Sequence, residues 1–434
     1  MNRCIADQIS PYVITIALCM TAPAMADNLA NIEAYVADYQ EMAAYDGVIL
    51  IAEGDDIVWH RAFGSADYSH SLPMTTDTRF RIASLSKQVT QAAIGRLVDD
   101  GRLSLQSRLS DFLPDFPNAR RITIRHLLDH TAGIAHTNRL EWMDMSVAMS
   151  LDDIVDGLAN EDLLFKPGID SQYSNGGYAL LAKVIEVVSG LSFGYFIDQA
   201  FASRGYASIG DETAQAIVPK MAQRYAPGPT YGERVAAEVY ITANRIGGGS
   251  LYANAEDVFR FFRDSYNGNL LETETTAAIF EKPEDGDSRI TGRSPGALAQ
   301  IYMNFDDDLT VVTLSSNSAW PGSFNGDIVS LYRGEDSDLT PFALSETAMA
   351  SSDLQAFSGE FGMNQFGWTV SIEPYGGSLI FVQDRIRTAF ARTTDNEFHL
   401  PIYDWLCRYS AYNTEFVCRQ RDQNADIRFL FERQ

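Results

Sequence analysis

Apolar positions along the chain alternate between two periods. Leu29, Ile32, Val36, Tyr39 and Met42 form a helical stripe over 28–44. Two strand-like runs follow, 46–52 (DGVILIA) and 57–63 (IVWHRAF), around the polar turn Glu53-Gly54-Asp55-Asp56. That pattern predicts a hairpin. Residues 84–100 return to the helical period, with Val89, Ala93 and Leu97 four apart and Gly101 placed as a C-cap. Short helices are predicted over 123–130, with Thr123 as N-cap, and over 177–188 and 255–266. Residues 297–305 and 309–316 read as a late hairpin around Asp306-Asp307-Asp308. Strands at both ends of a helical middle predict one α+β domain, 27–340, in which the first hairpin joins the late strands in a sheet. Residues 341–353 read as a linker. From 354 to 434 short β-like runs dominate, which predicts a small all-β domain.

The first 26 residues fit neither unit. Arg3 precedes an apolar run from Pro11 to Met20, and Ala24-Met25-Ala26 is a small-x-small cleavage site. This reads as a secretory signal cut after Ala26, hence a periplasmic or secreted protein. Lipoprotein processing at Cys19 is the alternative, and Leu18 fits that site poorly. No later run is long enough to span a membrane. Cys4 and Cys19 leave with the signal, so Cys407 and Cys418 remain. In an exported protein this pair predicts one disulfide. A two-residue turn at Tyr412-Asn413 would set the two cysteines opposite each other. Two buried free thiols are the alternative reading.

The formal net charge is −25 and survives signal removal, because Arg3 and Asp7 leave together. Such a surface repels nucleic acid and anionic membranes but leaves the partner's identity open. Lysine is scarce: only Lys87, Lys166, Lys183, Lys220 and Lys282 occur. Lys87 closes an S-x-x-K with Ser84 at a predicted helix start. The i, i+3 spacing brings the two side chains onto one face, where a neutral lysine can take the serine proton or a lysinium can stabilise the alkoxide. Tyr173-Ser174-Asn175 lies on a loop before a helix and can aim a phenol and an amide into one cleft. Alone, each motif is also what a surface helix or a turn would contain. His126 and His130 are four apart, but no glutamate follows the first and no third ligand is apparent. They read as structural hydrogen-bonding residues, with no metal and no cofactor implied.

The order of these strings carries more than any one of them. Phe80-Arg81-Ile82-Ala83-Ser84-Leu85-Ser86-Lys87 precedes His126-Leu127-Leu128-Asp129-His130-Thr131-Ala132-Gly133-Ile134. Phe165-Lys166-Pro167-Gly168, Tyr173-Ser174-Asn175-Gly176-Gly177-Tyr178 and Gly247-Gly248-Gly249-Ser250-Leu251-Tyr252 follow. Together they resemble the serine β-lactamase family, within it the class C β-lactamase, D,D-peptidase and family VIII esterase group of penicillin-binding-protein-like fold. The resemblance implies Ser84 as acylated nucleophile, Lys87 as base, Tyr173 as proton relay to the leaving group and Asn175 as a substrate-orienting residue. It also implies a small-molecule or peptide substrate, a small β-barrel-like domain appended over 354–434, and a third motif, placed here at Ile290-Thr291-Gly292-Arg293. Thr291 and Gly292 would contact substrate, and the Arg293 and Ser84 N–H groups would form the oxyanion hole. Ile290 stands where the family carries lysine or histidine. That substitution favours uncharged ester or amide substrates over carboxylate-bearing β-lactams and peptides, unless Arg289 or an arginine from elsewhere supplies the charge. A catalytically weak relative that only binds ligands is the rival reading.

Overall fold

The computed structural model describes residues 22–212, 217–228, 232–317, 324–335, 351–363, 368–375, 378–383, 386–392, 397–400, 405–410, 415–420 and 428–433. Most of the expected signal, most of the expected linker and the expected turn at Tyr412-Asn413 lie outside these residues.

The first hairpin forms as read, from β1 (Gly47–Glu53) and β2 (Asp56–Phe63). The late strands β3 (Asp287–Ser294), β4 (Ala297–Asn304) and β5 (Leu309–Ser315) complete an antiparallel sheet of order β3-β4-β5-β1-β2. Its centre is the pairing of β1 with β5, which sets Leu50 opposite Val312. β1 is buried on both faces, and period-two alternation divides it. Val48, Leu50 and Ala52 enter the main core, while Ile49 and Ile51 enter a second core. The second core is made with α1 (Ala22–Glu41) and α6 (Phe324–Arg333). Ile32 and Val36 of α1 are fully buried there, each worth about 1.5–3 kcal/mol by apolar area. α1 runs through the expected cleavage point at Ala26 and ends earlier than its stripe, because Ala43 turns the chain with φ 54°.

The main core lies on the other face of the sheet. It is built around α2 (Ser86–Asp99), α3 (Ile124–Leu128), α4 (Asn175–Ser189) and α5 (Ala255–Asn267). Thr123 caps α3 as expected, accepting from the His126 N–H at 3.2 Å. The helix over 84–100 starts later than its pattern. Ser84 lies in a 3-10 turn, Ala83–Leu85, and the α-helix begins at Ser86.

The C-terminal unit differs from a barrel. Its nine strands form one antiparallel sheet that begins at Ile386–Ala389 and ends at Ala391–Arg392. Among the described residues these end strands do not pair with each other, so the sheet is not closed. Because they flank Phe390 in sequence, the sheet curls around a shared core that includes Phe361, Phe381, Phe390, Phe398 and Phe416. The Trp405–Ser410 and Glu415–Gln420 strands pair with Cys407 directly opposite Cys418, both fully buried. The sulfurs are 2.03 Å apart. Their opposed register leads us to expect that peptide mapping without reductant returns Cys407 joined to Cys418; two alkylatable thiols would contradict it. A crosslink closing so short a loop contributes on the order of 2–3 kcal/mol, and its reduction should loosen this sheet first.

Candidate active site

Two elements meet at Ser84. The 3-10 turn presents it at the start of α2, and β3 runs past it so closely that only glycine fits at 292. A Cβ there would stand 2.7 Å from the Ser84 backbone nitrogen. The preceding residue, Ala83, is held at φ 43°, a conformation non-glycine residues seldom adopt. The turn is therefore fixed by its surroundings rather than by local preference.

The Tyr173 hydroxyl donates to Ser84 Oγ at 2.8 Å. Lys87 is buried behind them. Its ammonium donates to Asn175 Oδ1 at 2.7 Å and to the Gly248 carbonyl at 2.6 Å, and it lies 4.6 Å from the Tyr173 ring centroid. Desolvation, with the nearby Arg245 charge second, pushes the Lys87 pKa well below the usual lysine value. Desolvation raises the Tyr173 phenol, against smaller lowering effects of its Ser84 bond and of Arg245. The two shifts have opposite consequences: lysine becomes easier to deprotonate, and tyrosine stays protonated.

Asn175 is 4% exposed, and its amide is already engaged. The oxygen accepts from Lys87, and the nitrogen donates to Asn138 Oδ1 at 3.1 Å. Its observed contacts therefore position the lysine rather than a substrate. The glycine loop that supplies the Gly248 carbonyl is docked on α2: Thr90 donates to the Gly247 carbonyl at 2.6 Å, and Ser86 Oγ accepts from the Leu251 N–H at 3.1 Å.

The third motif divides between the faces of β3. Gly292 and Ile290 are on the Ser84 side, Ile290 packed against the main core. Thr291 is on the other face, where its hydroxyl accepts from Gln300 at 3.2 Å. Arg289 is also turned away from Ser84; it bridges to Asp287 at 3.4 Å and lies over the Tyr302 ring. The Arg293 carbonyl accepts from Arg245 Nη1 at 3.3 Å. An N–H and carbonyl of one residue leave a strand on the same edge, so the Arg293 N–H is directed to the Ser84 side with its carbonyl.

Arg245 was not singled out in the sequence. It is 9% exposed, lies over the Tyr240 ring, and its charge acts on Lys87, Tyr173 and His136. The cleft thus has a cation despite Ile290, supplied from the segment before the glycine loop. Its nearness to Gly247-Gly248-Gly249 was a sequence signal, but contact with β3 is tertiary.

His126 and His130 do not converge. His126 Nδ1 accepts from the Thr123 N–H at 3.3 Å, completing the α3 cap, whereas His130 faces the Tyr173 loop. Among the described residues no cluster of metal-ligating side chains occurs.

A serine hydrogen-bonded to a tyrosine hydroxyl and backed by a buried lysine, between a helix start and a glycine-bearing edge strand, defines an acyl-transfer type of site. The chain belongs to the Beta-lactamase family, which matches residues 31–297. It is 31% identical over 302 residues to "Penicillin-binding protein 4*" of Bacillus subtilis (strain 168), covering 65% of this chain and 64% of that one. It is 28% identical over 258 residues to "Esterase EstB" of Burkholderia gladioli, covering 51% and 65%. The matched part is thus under two thirds of these curated relatives' own length. Among solved structures, the D-amino acid amidase of Ochrobactrum anthropi SV3 superposes with a TM-score of 0.61 at 18% identity, over 71% of this chain and 98% of that one.

Proposed function

We propose that the protein is an exported serine hydrolase that cleaves an ester or amide through an acyl-enzyme on Ser84. The observation that carries this reading is the Tyr173–Ser84 hydrogen bond beside a desolvated Lys87. Neutral Lys87 takes the Ser84 proton as Oγ bonds to the substrate carbonyl carbon. The Ser84 and Arg293 N–H groups receive the developing oxyanion. Tyr173, kept protonated by desolvation, passes a proton to the leaving group as its bond to carbon breaks. Water then cleaves the acyl-enzyme along the reverse proton path. Relatives named as an esterase and an amidase support an ester or amide substrate.

Uncharged short-chain esters need no partner beyond the oxyanion donors, so p-nitrophenyl acetate or butyrate should be cleaved measurably. A second reading, a β-lactamase or D,D-peptidase acting on carboxylate-bearing substrates, is favoured by Arg245 and by the relative named as a penicillin-binding protein. Ile290→Lys separates the two. If the cleft is short of one cation, the lysine raises the cephalosporin-to-ester ratio of kcat/KM by roughly ten- to a hundredfold, the worth of one charge-assisted hydrogen bond. An unchanged ratio, or efficient cephalosporin hydrolysis by the unmodified protein, supports the second reading.

A further inference from the structure

Tyr173 can serve as a relay only if its hydroxyl stays on Ser84, yet its loop has no regular structure before α4 begins. The last loop residue, Ser174, is the N-cap of α4, and Asn175 is its first helical residue. Backbone N–H groups at a helix start have no partner within the helix. Here both are taken by imidazoles. The Ser174 N–H donates to His130 Nδ1 at 3.2 Å, and the Asn175 N–H donates to His136 Nδ1 at 3.1 Å. The His130 carbonyl also accepts from the Gln172 N–H at 3.0 Å. The Tyr173 ring sits between the same imidazoles, with centroids 4.7 Å from His130 and 5.6 Å from His136. The N–H groups of Gln172, Ser174 and Asn175, and the phenol ring, are thus gripped by one short segment, 130–136.

We propose that His130 and His136 are positioning residues, a pair of hydrogen-bond-accepting imidazoles that hold Tyr173 on Ser84. This rests on the reading of Tyr173 as proton relay. An imidazolium has no acceptor nitrogen, so the grip exists only while both rings are neutral and carry their proton on Nε2. Their surroundings enforce that state. Desolvation, then Lys87 and His136, lowers His130 to about 4. Desolvation, then Arg245, Lys87 and Arg139, lowers His136 to about 4. The rings of Tyr173 and Tyr178 complete the surroundings of His130. The positive end of the α4 dipole acts in the same direction. His130 itself sits at φ 60°, a conformation that asparagine tolerates well.

The first test is side-chain nitrogen NMR on the full chain between pH 3.5 and 8. Both imidazoles should be Nε2–H tautomers that remain neutral across the range from 8 down to about 5. An Nδ1–H tautomer, or titration near 6.5, at either residue would overturn the proposal, whatever the protein hydrolyses. The second test is kinetic, with p-nitrophenyl butyrate. His130→Leu and His136→Leu should each lower kcat about tenfold or more with little change in KM, the signature of a misplaced group rather than lost binding. His130→Asn, which restores an acceptor, should recover most of that loss. Leucine variants with unchanged kcat, or an asparagine variant no better than leucine, would overturn it. If the unmodified protein turns over no ester and Ser84 takes no acylating probe, the hydrolase reading fails instead, and the NMR result still stands for or against the grip.

Discussion

Ser84→Ala is expected to abolish both fluorophosphonate labelling and ester hydrolysis while leaving the fold intact. The variant removes one oxygen from a 3-10 turn whose backbone is held by neighbours. The Ser84 N–H remains close beside β3, and nothing larger enters the space that Gly292 leaves open. The Tyr173 hydroxyl loses its Ser84 partner. It belongs to a residue that is 46% exposed, so water can replace that bond at little cost. Without Oγ no covalent intermediate can form, so the loss is of the nucleophile rather than of geometry. Circular dichroism and the melting temperature should be close to those of the unmodified protein. Full labelling of the alanine variant would show that another nucleophile carries the reaction.

Lys87→Ala should lower the labelling rate by about a hundredfold or more, the scale of a lost general base. The sign of the pH dependence follows from the direction of its shift. Only neutral Lys87 accepts a proton, and burial lowers its pKa, so the neutral form exists at lower pH than for an ordinary lysine. The rate of acylation should therefore rise with pH along a limb that belongs to Lys87 and lies below the ordinary lysine range. In the alanine variant that limb should vanish. A variant that keeps the limb, or labels within a few fold of the unmodified protein, would assign the base elsewhere. Arg245→Gln tests the same electrostatics: without its charge Lys87 should hold its proton more tightly, and the limb should move to higher pH.

Much of this architecture is legible in the chain because it is written in short-range patterns. The apolar run from Gly47 to Ala52, followed by a polar turn, reads as one strand of a hairpin, and the sheet places it between two others. Ser84 and Lys87 announced their proximity by spacing, and Cys407 and Cys418 by the symmetry of their flanking arms. What the pattern could not give depends on contacts between distant segments. Arg245 is seen as a site residue only once β3 lies against the segment that bears it. Asn175 reads as a free amide in the sequence but is committed to Lys87 and Asn138 in the fold. Thr291 follows its motif in sequence, yet strand alternation turns it from the cleft. The open C-terminal sheet, in place of a barrel, reflects the same limit: strand runs fix pairing within a hairpin but not whether the two ends of a sheet meet.

An acyl-enzyme mechanism requires that Ser84 can be acylated. Intact-mass spectrometry after incubation with a fluorophosphonate, and separately with a penicillin, measures this directly. One fluorophosphonate adduct per chain, mapped to Ser84 and absent from Ser84→Ala, is the predicted result; the penicillin arm then reports whether carboxylate-bearing ligands enter the same site. A protein that stays unmodified by the fluorophosphonate, or carries the adduct on another residue, would contradict it.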